Sequence, residues 1–167
     1  MANESMRLSE AGWAELRRRE SAVMAYYNDQ ANNCTYDGVG TLAHTGPCTP
    51  EELRRPVTTT QVNAQLAARV RRAEAAVRRH VSTRQLTQVQ FDELVSYTYN
   101  AGNTGALAAL HSANQSDDAG VVSHMIQLVW IHPRDENGRR LAPVRSNGLV
   151  DRRRLELAPF QPQQRAQ

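Results

Sequence analysis

Three times between Thr49 and Gln90 the chain writes the same helix-starting pattern, and this repetition narrows what it can fold into. Thr49-Pro50-Glu51-Glu52, Thr58-Thr59-Thr60-Gln61 and Thr87-Gln88-Val89-Gln90 each set a hydroxyl at a helix N-cap and a Glu or Gln three positions on, the two halves of a capping box. Pro50 suits the first helical position, where its missing N–H leaves nothing unsatisfied, and the first box predicts a short helix ending before Pro56. After the second box, Val62, Leu66, Val70, Ala73 and Val77 recur at helical spacing between arginines, predicting a long amphipathic helix to about His80. After the third, Phe91, Leu94, Val95, Thr98 and Tyr99 do the same until Gly102 supplies a stop. A first helix is predicted from an N-cap at Ser9, with Trp13 and Leu16 on one face, running into Arg17-Arg18-Arg19 and leaving Glu20 at its C-terminal end. Further helices are predicted over 104–111, 117–130 and 148–157.

Between Gln30 and Cys48 the texture changes to turn residues and short β-prone pieces. Asp37-Gly38, set between Thr35-Tyr36 and Val39, is a hairpin-turn signal, and this is the single β region predicted. There are no internal repeats. The 167 residues suffice for one core and are short for two independent ones. The fold class expected is therefore α+β, mostly α, as one domain over 1–160 followed by a disordered tail, Gln-Pro-Gln-Gln-Arg-Ala-Gln, over 161–167.

Charge excludes some partners. All 20 basic side chains are arginine, against 17 acids, for a net charge of +3. That excess favours polyanions such as nucleic acid or an anionic cell wall. Arg71-Arg72 and Arg78-Arg79 would be the footprint of a nucleic-acid binder, but the near balance of charges argues against nucleic acid. No apolar run approaches the roughly 20 residues that span a bilayer, so no stable membrane insertion is expected, and residues 1–20 lack the apolar stretch of a secretory signal. The chain reads as one made in the cytoplasm without a signal peptide, or as a fragment of a longer protein. Cys34 and Cys48 bracket the hairpin region; spacing leaves two unrelated thiols and a disulfide both open, since geometry and compartment decide. Together with His44 they lack a fourth ligand and the usual short spacing of a metal site. No metal and no cofactor are expected.

Glu20 and Asp29 are separated by eight residues, one closing a helix and the other entering a polar turn. Glycoside hydrolysis needs one carboxylic acid to protonate the leaving oxygen and a second group to hold a water or to attack the anomeric carbon. Nearby carboxylates are more often solvated surface charges, so the pair alone decides nothing. Thr35, with five residues between it and Asp29, changes the reading. Glu20, Asp29, Thr35, then Gly38-Val39-Gly40 and His44, with Leu86 to Gly102 as a central helix and Asn147-Gly-Leu-Val-Asp-Arg-Arg153 as a C-terminal helix start, resemble the phage-type lysozymes, the endolysin family of glycoside hydrolases. The resemblance covers about residues 8 to 160. It departs from the family where Asp37 precedes the glycines and Thr41-Leu42-Ala43 intervenes before His44, which admits an alternative alignment on Thr41. Thr35 keeps the family spacing from Asp29.

The resemblance implies a lysozyme-like bilobed fold, with a small N-terminal β-hairpin lobe and a helical C-terminal lobe joined by a long helix. It implies a muramidase that cleaves the β-1,4 bond between N-acetylmuramic acid and N-acetylglucosamine in peptidoglycan. Glu20 would be the general acid, paired with Arg152, while Asp29 as acceptor and Thr35 through its hydroxyl would hold the water. Asn100 would hydrogen-bond the sugar, although an Asn before Ala-Gly is also a common helix-capping residue. His44 would brace the hairpin under the cleft. His80, His111, His124 and His132 read as dispersed and structural, Trp130 as core rather than a sugar platform, and Arg17 to Arg19 as a solvated face. The expected species is a monomer acting in the periplasm, reached through holin-dependent release, as for a phage endolysin, or by a secretion apparatus with a cognate inhibitor protein. A lytic transglycosylase, or a peptidoglycan-binding module without activity, is the alternative on the same fold. A transglycosylase needs the Glu but no water-holding pair.

Overall fold

The computed structural model describes residues 1–20, 25–36 and 41–162. Among them lie six helices: α1 (Glu10–Arg19), α2 (Pro50–Leu53), α3 (Thr59–His80), α4 (Gln88–Asn114), α5 (Asp118–Met125) and α6 (Asn147–Leu157), with a 3-10 turn at Ala158–Phe160. Strands β1 (Tyr27–Asn28), β2 (Cys34–Tyr36) and β3 (Thr41–His44) form one antiparallel sheet in that order, and β4 (Trp130–Ile131) pairs with β5 (Val144–Arg145) in another. The fold is mostly helical with small antiparallel sheets, the α+β class expected. No helix among the described residues is long and apolar enough to cross a membrane. The Asp37-Gly38 turn, Val39-Gly40 and the tail from Gln163 on lie outside the described residues.

The helix starts follow from the capping chemistry. Thr49 Oγ1 accepts from the Glu52 N–H at 3.2 Å while Glu52 Oε2 accepts from the Thr49 N–H at 2.8 Å. Thr58 with Gln61, and Thr87 with Gln90, repeat the reciprocal pair. Each box satisfies two donors that a helix start otherwise leaves without partners. Ser9 caps α1 by accepting from the Gly12 N–H. Gly102, with φ +74°, interrupts α4 at a conformation that costs a residue without a Cβ little; the helix resumes beyond it and continues to Asn114.

The chain divides into two compact units. One contains Met1–Trp13, Val70–Val129 and the chain from Asn147. Its core is Val77, Val81, Phe91, Leu94, Val95, Leu110, Val121, Met125 and Phe160, on a scaffold in which α4 packs against α5, α6 and the 3-10 turn. Asn3, fully buried, joins the amino-terminal segment to this core: its Nδ2 donates to the Val81 and Arg84 carbonyls, and its Oδ1 accepts from the Leu86 N–H. The other unit contains Ala14–Arg69 and Trp130–Ser146, and so holds both sheets.

Two expectations are corrected here. The hairpin near the N-terminus is not the single β region, and the helix expected over 117–130 ends at Met125. Val129-Trp130-Ile131 is a β-prone run, and Pro133 disfavours helical backbone before it. Asn137-Gly138 then supplies the turn signal that went unread. Gly138 has φ +75° and its N–H bonds the Asp135 carbonyl at 2.9 Å. Trp130 is accordingly 50% exposed on a strand, not core.

Candidate active site

The site residues expected near the N-terminus belong to the unit with the sheets. Glu20 directly follows α1 and is half-buried; its N–H bonds the Leu16 carbonyl at 2.9 Å, so it continues the last helical turn. Of the arginines before it, Arg17 and Arg18 are exposed and Arg18 pairs with Glu15 at 2.7 Å, whereas the Arg19 side chain is largely buried, unlike a solvated face.

Asp29 opens a turn that its own side chain and backbone close. Oδ1 accepts from the Ala31 N–H at 2.9 Å and the Asn33 N–H at 2.8 Å. The Asp29 N–H bonds the Asn33 carbonyl, and the Asn32 N–H bonds the Asp29 carbonyl. Asn32 takes φ +56°, a left-handed conformation that Asn tolerates because its short side chain bonds locally. Here Asn32 Nδ2 donates to the Arg134 and Asp135 carbonyls, and the Arg134 N–H bonds the Ala31 carbonyl. The second hairpin thus braces the Asp29 turn, a role no sequence reading assigned to it. The signal was present in Asn32-Asn33 and in Asn137-Gly138.

With Oδ1 committed to two backbone N–H groups, Oδ2 faces the Thr35 hydroxyl at 3.5 Å. Thr35 is 2% exposed, and its Oγ1 also lies 3.3 Å from the Asn33 carbonyl. The structure therefore brings Asp29 and Thr35 together as one acceptor and one group that both donates and accepts. Thr41 opens β3 opposite Tyr36. The sheet carries an irregularity at this point: Cys34 pairs with His44 but Thr35 with Leu42, leaving Ala43 unpaired as a bulge.

Cys34 and Cys48 are joined by a disulfide, with Cα atoms 4.5 Å apart. The Cys34 N–H bonds the Gly46 carbonyl at 2.7 Å and the Cys48 N–H bonds Asn28 Oδ1 at 2.7 Å, so both ends of the bridge are tied to the sheet. Glu52 lies near the two sulfurs, which are already bonded to one another. His44 is exposed and its Nε2 is 3.1 Å from both Glu52 oxygens. That carboxylate, also held by the Thr49 N–H, holds the His44 imidazole above its usual pKa of 6.5.

Asn100 and Arg152 belong to the other unit. Asn100 lies inside α4, two residues before Gly102, and its Oδ1 accepts from Arg153 Nη2. Arg152 is buried; its Nε donates to Glu156 Oε1 at 2.9 Å and its Nη2 to the Ser96 carbonyl at 3.2 Å. His80 and His111 are not dispersed: both line one cavity of about 420 Å³ with Leu107 and Ala108.

Residues 17–156 match the family model described as phage lysozyme. The chain belongs to the phage lysozyme family. This lysozyme is therefore a glycoside hydrolase whose substrate class is peptidoglycan. Among solved structures it is similar to an endolysin from Escherichia coli O157:H7 phage FAHEc1, at 29% identity and TM-score 0.70 over 93% of this chain and 94% of that one. It is also similar in fold to the muramidase domain of SpmX from Asticaccaulis excentricus, at 23% identity and TM-score 0.67 over 93% and 98%. The active form of P1 phage endolysin Lyz matches at 19% identity and TM-score 0.64 over 95% and 86%. No curated protein matches the chain closely enough to count as a relative.

Proposed function

We propose that this lysozyme is a muramidase that hydrolyses the β-1,4 bond between N-acetylmuramic acid and N-acetylglucosamine. Glu20 is the general acid and Asp29 with Thr35 holds the attacking water. The observation that carries the reading is the split commitment of the Asp29 carboxylate: one oxygen is bonded to two backbone N–H groups, and the other meets the Thr35 hydroxyl. A water that donates to Asp29 Oδ2 and to Thr35 Oγ1 has both protons engaged, which turns a lone pair outward for attack. The carboxylate can take up the proton that the water loses, while Glu20 gives its own to the leaving glycosidic oxygen.

Asn100 binds the glycan in this reading, His44 braces the hairpin, and Arg152 is the cation that the family pattern assigns to Glu20. The substrate lies in the periplasm and is reached by holin release or by a secretion apparatus with its inhibitor.

Glu20→Gln keeps the shape of the acid without its proton, and is expected to abolish wall hydrolysis while the circular dichroism spectrum stays native. Asp29→Ala and Thr35→Ala each lower turnover strongly; Thr41→Ala does so only mildly. An inactive Thr41→Ala with an active Thr35→Ala would move the water-holding role to Thr41. Reducing-end analysis of released muropeptides tests the reaction class. A hydrolase leaves a free reducing sugar and a transglycosylase an anhydro product, and a binding module releases neither.

A further inference from the structure

The exposed amide of Asn100 rests on a chain of buried charge. Glu156 on α6 is 0% exposed, and its two oxygens meet Ser96, Arg152 and Arg153. Oε1 accepts from Ser96 Oγ at 2.6 Å and from Arg152 Nε at 2.9 Å, and Oε2 lies 3.0 Å from Arg153 Nη1. Arg153, 1% exposed, lies with its guanidinium 4.9 Å above the centre of the Tyr97 ring. Held by a carboxylate at one nitrogen and by an aromatic face, the guanidinium has little freedom left. Its Nη2 donates to Asn100 Oδ1.

This last bond fixes something that an Asn side chain ordinarily leaves open. The two ends of a carboxamide are nearly identical in shape, and the hydrogen-bond network decides which is oxygen. A guanidinium carries donors only. It must therefore meet the oxygen, and the Nδ2 hydrogens are turned to the other side.

We propose that Glu156 and Arg153 are positioning residues that hold the Asn100 amide with its N–H group toward the glycan, so that this position reads an acceptor oxygen, the acetamido carbonyl of an N-acetylated sugar. The inference rests on the assignment of Asn100 to glycan binding given above. A sugar hydroxyl both donates and accepts and would be satisfied by either end of the amide. An acetamido carbonyl only accepts, so a fixed donor distinguishes N-acetylated from de-N-acetylated sugar through a bond that one forms and the other lacks.

Asn100→Asp is the discriminating variant, because it preserves size and still accepts from Arg153, yet sets an oxygen where the N–H was. Binding of tri-N-acetylchitotriose and of its de-N-acetylated counterpart is measured by calorimetry with the full chain. The native protein is expected to prefer the acetylated ligand about tenfold or more, and Asn100→Asp to lose that preference or reverse it, with an unchanged melting temperature. On peptidoglycan the same variant raises KM and leaves kcat nearly intact. Arg153→Lys keeps the charge without the fork and is expected to blunt the preference in the same direction. An Asn100→Asp protein that keeps the native preference within twofold overturns the proposal. An Arg153→Lys protein that is folded and keeps it overturns the positioning role. Because binding is read without turnover, it is independent of the catalytic assignment, whose own failure would appear as an active Glu20→Gln.

Discussion

The molecule holds two clusters of polar side chains built on opposite plans. Around Asp29, the bonds run to two backbone N–H groups and to the Thr35 hydroxyl, two to six residues away, in a turn that is part-buried. Around Glu156, the bonds to Ser96 and from Arg152 to Ser96, and the bond from Arg153 to Asn100, join α6 to α4 across 53 to 60 residues, and the charges sit out of water. A local turn keeps its hydrogen bonds whatever its side chains then do with water or substrate. A buried carboxylate between two guanidiniums is different, because removing one charge strands the others in a medium that solvates them poorly. The first cluster can be altered with small effects on folding and large ones on chemistry, and the second the reverse.

The largest expected effect breaks or upholds this contrast. Glu156→Ala leaves Arg152 and Arg153 buried without their shared anion and should lower the unfolding free energy by about 3–5 kcal/mol, the cost of breaking a buried ion pair from one side. Asp29→Ala removes bonds within one part-buried turn and strands no buried charge, and should cost about 1 kcal/mol, while it abolishes most hydrolysis. Urea unfolding of both variants beside their activity is the measurement. Equal losses of stability would show that the two clusters do the same structural work.

The disulfide gives the local cluster one long-lived constraint and is the next effect in size. Cys34 and Cys48 are separated by 14 residues, and closing a loop of this length restricts the unfolded chain by about 3 kcal/mol in the entropy model. The oxidised protein should exceed both the reduced protein and a Cys34→Ser, Cys48→Ser variant by that amount in urea, and reductant should leave the double variant unmoved. Because Cys34 precedes Thr35 directly, the variant should also lose activity at a lower temperature than it unfolds. A double variant as stable as the native protein would remove the bridge from the account.

Much of this was legible because it is local. Capping boxes at Thr49, Thr58 and Thr87 act within four residues, and the apolar spacing of Val62 to Val77 and of Phe91 to Val95 marks one face of a helix whatever it packs on. The Glu20, Asp29 and Thr35 spacing was legible through its resemblance to a family. The bracing of Ala31 and Asn32 by Arg134 and Asp135 was not, since it joins segments about a hundred residues apart. The bond from Arg152 to the Ser96 carbonyl, across 56 residues, was out of reach for the same reason. Trp130 was misread because an apolar residue ending an apolar run satisfies a helix pattern and a strand pattern alike. The turn at Asn137-Gly138 and the Pro at 133 were the signals that favoured the strand.

The smallest effect separates the hairpin's ionic contact from its covalent one. The Glu52 carboxylate is pulled down to about 2, first by the Thr49 N–H and then by His44, and in turn it raises the imidazole. A raised folded pKa contributes stability that is complete below the ordinary imidazole value near 6.5 and is lost as pH rises through the raised one. A depressed carboxylate contributes stability that is complete above its ordinary value of 4.5 and is lost as pH falls toward 2. Both contributions are therefore whole only between about pH 4.5 and 6.5, and because His44 is exposed the attraction is weakened by salt. Glu52→Gln isolates the pair, since Gln at this position still completes the capping box. Proton NMR titration should place the His44 midpoint above that of the Glu52→Gln protein, with the gap narrowing in strong salt. Equal midpoints would leave the disulfide and the backbone bonds of Cys34 and Cys48 as what holds this end of the hairpin.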